Sequence, residues 1–146
     1  MNARTFVDSN VFLYAAEEGD AQKSQRSAQW LRHLQQAGRG VANLQVMNEI
    51  TNVLIKRGGM KPEAVFAIVD SYSFFGTAAL NDETVAAGRL LHFETGYPWW
   101  DCLLLASAIE LQCTYFLSED LQDDRQLPGL TIINPFRHSP PQTPFH

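Results

Sequence analysis

Short apolar runs alternate with helix-length segments along the whole chain, and this alternation limits the fold more than any other feature. Thr5-Phe6-Val7, Val41-Ala42, Phe74–Ala79, Tyr115-Phe116-Leu117-Ser118 and Thr131-Ile132-Ile133 read as five strands. Asp20 caps a helix through about Ala37, with Ala28, Leu31 and Leu34 on one side, and Gly38-Arg39-Gly40 stops it. Asn43 caps a helix to about Arg57 that Gly58-Gly59 ends. Lys61-Pro62 starts another, with proline in the first turn, where its missing N–H costs nothing. Asn81-Asp82-Glu83 opens a helix to about Glu94. After the break at Gly96-Tyr97-Pro98, Trp99 to Gln112 is an apolar helix almost without charge. Val11–Ala16 is apolar and short, and no internal repeat occurs. Pro135–His146 carries four of the seven prolines and reads as an extended tail.

Strands and helices in this order build βα units and a parallel sheet buried on both faces. The expectation is a single α/β domain over residues 1–136, a short central parallel sheet flanked by helices on both faces (α/β/α), with a Pro-rich C-terminal tail at 137–146. Composition supports one core and excludes a disordered chain: 45% of the 146 residues are hydrophobic and 18% are charged, against roughly 25% charged on average. The net charge of −5 excludes a uniformly basic nucleic-acid coat. Cys102 and Cys113 lack CxxC spacing, no apolar leader opens the chain, and no apolar run approaches the roughly 20 residues of a membrane span. A reduced cytoplasmic protein without membrane contact is expected.

Ligand sites in parallel sheets lie beyond the carboxyl ends of the strands, and acids stand there. Asp8 follows the first strand and Glu119-Asp120 follows the fourth. Each alone reads equally as a cap of the next helix. Asp101 falls in or near the first turn of the uncharged helix, where the helix dipole favours its ionised form; the alternative is again a capping aspartate. Glu49 lies on the border of the stripe Val46, Ile50, Val53 and Leu54, and by itself reads as an ordinary boundary residue. Taken together, three or four carboxylates without matching lysines or arginines remain ionised mainly around a cation. Hard oxygen ligands without Cys or His suit Mg²⁺ or Mn²⁺. Such ions polarise a phosphoryl oxygen and activate water for in-line attack, which points to phosphodiester hydrolysis.

Phe6-Val7-Asp8-Ser9-Asn10-Val11, Met47-Asn48-Glu49-Ile50, Trp100-Asp101 before an apolar helix, and Ser118-Glu119-Asp120 after a strand occur in that order. In this order and spacing the chain resembles a PIN domain, and within that superfamily the VapC-type toxins of bacterial toxin–antitoxin pairs, over about residues 4 to 136. The resemblance implies a Mg²⁺- or Mn²⁺-dependent endoribonuclease. By position Asp8, Glu49, Asp101 and Asp120 match the family's acidic quartet, with Asp8, Asp101 and Asp120 as metal ligands. Asn10 matches the polar residue supporting the first acid, and Ser118 the small hydroxyl residue before the last. Asp123 or Asp124 stands where a helper acid follows, though not at the commonest spacing. A homodimer, a small cognate antitoxin and an RNA substrate are implied by the family alone.

Lys23, Arg26, Arg32, Arg39, Lys56, Arg57 and Lys61 read either as an RNA groove or as a solvated basic face. The basic residues concentrate early: residues 1–61 hold eight basic and five acidic side chains, residues 62–146 three and eleven. Trp99 and Trp100 read as core or helix anchors before base-stacking groups. A dehalogenase-type phosphatase would need a second Asp where Asn10 stands, and a late lysine that is missing. A non-catalytic binding module on the same fold, or a housekeeping RNA-processing nuclease, remains a competing reading. His33, His92, His138 and His146 show no metal-ligand spacing.

Overall fold

The computed structural model describes residues 3–17 and 19–141. Five strands form one sheet: β1 Thr5–Val7, β2 Gly40–Val41, β3 Tyr115–Leu117, β4 Gln126–Leu127 and β5 Leu130–Ile133, in spatial order β2-β1-β3-β5-β4. The pairs β2–β1, β1–β3 and β3–β5 are parallel, and β4 joins β5 antiparallel at the edge. Among the described residues six α-helices accompany the sheet: α1 Ser9–Ala16, α2 Ala21–Ala37, α3 Leu44–Arg57, α4 Pro62–Tyr72, α5 Asp82–Thr95 and α6 Trp99–Glu110. The architecture is therefore the expected α/β domain with a mostly parallel central sheet. Among the described residues no helix is long and apolar enough to cross a membrane.

Every residue of β1 and β3 is buried, as strands covered on both faces require. Phe6 and Phe116 stack across them with ring centroids 5.4 Å apart. The helix starts follow the sequence closely. Asp20, Asn43 and Asn81 each accept a backbone N–H from the first turn of the helix they precede, and Asn81 forms a reciprocal capping box with Thr84. Gly38 ends α2 in the left-handed conformation. Asn43 also donates to the Ser107 hydroxyl at 2.9 Å, tying the start of α3 to α6 in the interior.

Two expectations need correction, and one strand was not expected. Phe74–Ala79 is not a strand. Residues Ser73–Phe75 form a 3₁₀ turn, Gly76 breaks it, and the segment meets the sheet only through the Asn43–Ala78 bridge and hydrogen bonds from Ala42 and Leu44. Phe74, 58% exposed, faces outward rather than continuing a buried run. The antiparallel β4 went unread because it is two residues long, although its Pro128-Gly129 turn is a hairpin signal. The stretch from Pro135 does not begin as an extended tail: residues 135–137 form a turn, and the Trp30 indole N–H donates to the carbonyls of Pro135 and His138. Residues 142–146 lie outside the described residues. Cys102 and Cys113 are both free and buried.

Candidate active site

The chain leaves β1 toward β2 on one side and returns to β3 on the other, so the carboxyl ends of β1 and β3 flank the point where strand order reverses. Val7 pairs with Leu117, which sets Asp8 and Ser118 side by side one residue further on. Asp8 is 3% exposed. Its Oδ1 accepts from the Ser9 N–H at 2.7 Å and so caps α1, as the simpler reading of the sequence expected. Its Oδ2 accepts from Ser118 Oγ at 2.8 Å and from Asn10 Nδ2 at 3.3 Å. Burial raises the Asp8 carboxyl to about 6; the Ser118 hydrogen bond opposes the shift, and the negative charges of Asp101 and Asp120 add to it.

Asn10 joins the two strand ends. Besides Asp8, its amide donates to Asp120 Oδ2 at 3.0 Å and to Ser118 Oγ at 3.3 Å, while the Asp120 N–H donates to Ser118 Oγ at 3.1 Å. Ser118 is fully buried, so its hydroxyl holds the loop after β3 as well as Asp8.

Asp101 lies in the first turn of α6 and makes no capping bond, which removes the capping alternative. Burial, then the charge of Asp120, raises its carboxyl above the usual range. Glu49 projects from α3. Burial and the charge of Asp8 raise it to about 7, with Asp101 and Asp120 adding, against a hydrogen bond from Gln45. The four carboxylates thus act on one another electrostatically: Asp120 on Asp8, Glu49 and Asp101, Asp101 on Asp8 and Glu49, and Asp8 on Glu49. Oxygen-only donors of this kind suit Mg²⁺ or Mn²⁺ by their chemistry. Among the described residues, however, no group of three or more His, Cys, Asp or Glu side chains is placed to hold a metal ion.

The other sequence candidates take various places. Asp123 accepts from the Asn134 N–H at 2.8 Å and faces His138 at 3.0 Å; burial pushes it up, but these partners bring it below the usual range. Asp124 has a left-handed backbone, φ 63°, and its N–H donates to the Ile132 carbonyl. Lys23 is ion-paired with Glu119, the neighbour of Asp120, and lies over the Tyr14 and Phe136 rings. Arg57 pairs with Glu17, and Arg26 donates to the Pro135 carbonyl at 3.4 Å. Arg39 sits between α2 and β2, where its backbone bonds to Leu34 and Thr5, and Lys56 is exposed in the last turn of α3.

One participant was missed. Gln45 Nε2 donates to Glu49 Oε1 at 3.3 Å and to the Trp100 carbonyl at 3.2 Å, so it links two of the acid-bearing helices. The i, i+4 spacing of Gln45 and Glu49 was the available signal.

Comparison with known proteins agrees with this geometry. The family model for the PIN domain matches residues 5–125. No curated protein sequence matches the chain. Among solved structures, the chain is similar to a toxin–antitoxin complex from Klebsiella pneumoniae, with TM-score 0.64 and 16% identity over 90% of this chain and 97% of that one. It is also similar to VapBC2 from Rickettsia felis bound to a promoter DNA fragment, with TM-score 0.63 and 14% identity over 88% and 96%. With the strand order and the match over most of its length, the chain belongs to the PIN domain family.

Proposed function

We propose that the protein is a divalent-metal-dependent endoribonuclease acting as the toxin of a toxin–antitoxin pair. The observation that supports this reading is that the buried carboxyls of Asp8 and Glu49 are raised to about 6 and about 7, first by burial and then by the negative charges of Asp101 and Asp120, with Asp8 adding to the shift of Glu49. Asp8, Asp101 and Asp120 would hold Mg²⁺ or Mn²⁺, with Glu49 beside them. A cation there would polarise a phosphoryl oxygen and activate the attacking water. The chain's own residues set the stage. Ser118 and Asn10 fix Asp8 and Asp120 relative to each other, and Gln45 aims Glu49.

The toxin reading is supported by two solved neighbours, one a toxin–antitoxin complex and the other VapBC2 bound to a promoter DNA fragment. A small antitoxin, and a second copy of the chain, are the partners this reading implies. Wild-type protein is expected to cut RNA internally with Mg²⁺ or Mn²⁺ and to stop in EDTA, and Asp8→Asn should remove the activity. Metal-independent cleavage, or cleavage by Asp8→Asn at the wild-type rate, would count against this site. RNA binding without cleavage would favour a non-catalytic module.

A further inference from the structure

A cavity of about 560 Å³ opens next to the acids, lined by Leu44, Gln45, Asn48, Glu49, Asn52, Ala79, Leu80 and Trp100. Its volume falls within the roughly 300–1,000 Å³ of ligand pockets. Two of its walls belong to the acid site: Glu49 lines both, and Trp100 directly precedes Asp101. Gln45 clips these walls together through Glu49 and the Trp100 carbonyl.

The lining has the chemistry of a base-binding slot. Trp100 is 63% exposed, and among the described residues its ring stacks on no other. Leu44, Ala79 and Leu80 supply apolar surface. Asn48 and Asn52 stand one helical turn apart on α3, both exposed, and among the described residues neither amide is engaged by another group. An amide offers both donors and an acceptor, as base edges do. No lysine or arginine lines the cavity, so it is built for the neutral part of a nucleotide rather than for phosphate. An exposed aromatic face with polar groups at its rim is how unpaired bases are held.

We propose that this cavity is a nucleobase subsite, which takes an unpaired base adjacent to the scissile phosphate, stacks it on Trp100 and reads its edge with Asn48 and Asn52. The proposal rests on the ribonuclease reading above and adds to it the residues that choose the nucleotide at the cut. The test has two arms. Binding of labelled single-stranded oligo(U), oligo(A) and oligo(C) ribonucleotides is measured by anisotropy in the Asp8→Asn background, and cut sites in a mixed RNA pool are mapped for proteins with an intact acid set.

Loss of one stacked base weakens binding by about 5- to 150-fold. Trp100→Ala should therefore lower affinity for the preferred oligonucleotide by that factor and flatten the cut-site preference, and Trp100→Phe should restore most of both. Asn48→Ala and Asn52→Ala should blunt discrimination among the three oligonucleotides more than affinity. Unchanged affinities and an unchanged cut-site profile in Trp100→Ala overturn the subsite, even where cleavage itself is normal. So does absence of oligonucleotide binding, or a variant that changes only the molecular mass in solution, which would mark a protein–protein surface. Binding that depends on Trp100 without any RNA cleavage upholds the subsite and refutes the hydrolysis reading instead.

Discussion

At Asp8 one oxygen caps α1 and the other faces Ser118 and Asn10, so a single residue is both a structural cap and a candidate ligand. The capping reading is observed, and it leaves the second oxygen turned to Ser118 and Asn10. Asp101 differs, because it makes no capping bond and carries an unfavourable charge environment. Asp101→Asn should therefore lower metal-dependent RNA cleavage by at least about 10²-fold, the scale of losing one group aimed at developing charge. Its thermal melt should stay at the wild-type value or rise; normal cleavage with Mg²⁺ would sink the four-acid site. Ser118→Ala removes a donor to buried Asp8 and the acceptor of the Asp120 N–H, and should destabilise the protein by about 1–3 kcal/mol in urea titration. Without that donor Asp8 should also titrate higher, which carboxyl NMR shifts would show. Asp8, Asn10 and Asp101 were legible because each stands at a strand end or a helix start. Lys23–Glu119 was not, because the pair spans 96 residues and nothing local marks it.

At the scale of elements, the helices were readable from caps and stops, and the strands were readable where burial on both faces makes a continuous apolar run. Phe74–Ala79 fails this test, since of its apolar side chains Phe75 is buried while Phe74, Ala78 and Ala79 are exposed, and the chain turns through a 3₁₀ segment. Gly76 makes that turn possible. Its φ of 140° suits glycine, and a Cβ there would lie 2.5 Å from the Ala42 carbonyl oxygen. Gly76→Ala should cost at least about 2 kcal/mol of stability by denaturant titration, combining strain with displacement of β2's neighbour. A loss below about 0.5 kcal/mol, the usual range of a surface substitution, would contradict this account of the segment. The same segment forms one wall of the cavity through Ala79 and Leu80, so a misread strand borders the site it was not expected to touch.

For the molecule as a whole, the raised acids link stability to pH. Folded values of about 6 for Asp8 and about 7 for Glu49 lie above their ordinary values of 3.8 and 4.5, so between these limits the folded chain binds more protons than the unfolded one. Their contribution is fully present below the unfolded values and is lost as pH rises through about 6 to 7. In EDTA the wild type should lose on the order of 1–3 kcal/mol more stability from pH 5 to pH 7.5 than Asp8→Asn/Glu49→Gln. Mg²⁺ should reverse the trend, raising Tm at pH 7.5 more than at pH 5, because the cation competes with protons for the same oxygens. Equal Mg²⁺ effects at both pH values would argue against binding at these acids.

The Asn10–Asp120 bond joins residues 110 apart, and the strand carrying Asp120's loop is held on its far side by β5, which ends at Ile133. A nascent chain emerging from the ribosome at about 5–20 residues per second therefore cannot join these two strand ends until β3 and β5 have followed β1 out. Until then Asp8 and Asn10 stand without Asp120, so a polypeptide released before β3 lacks the bond that ties the two strand ends together.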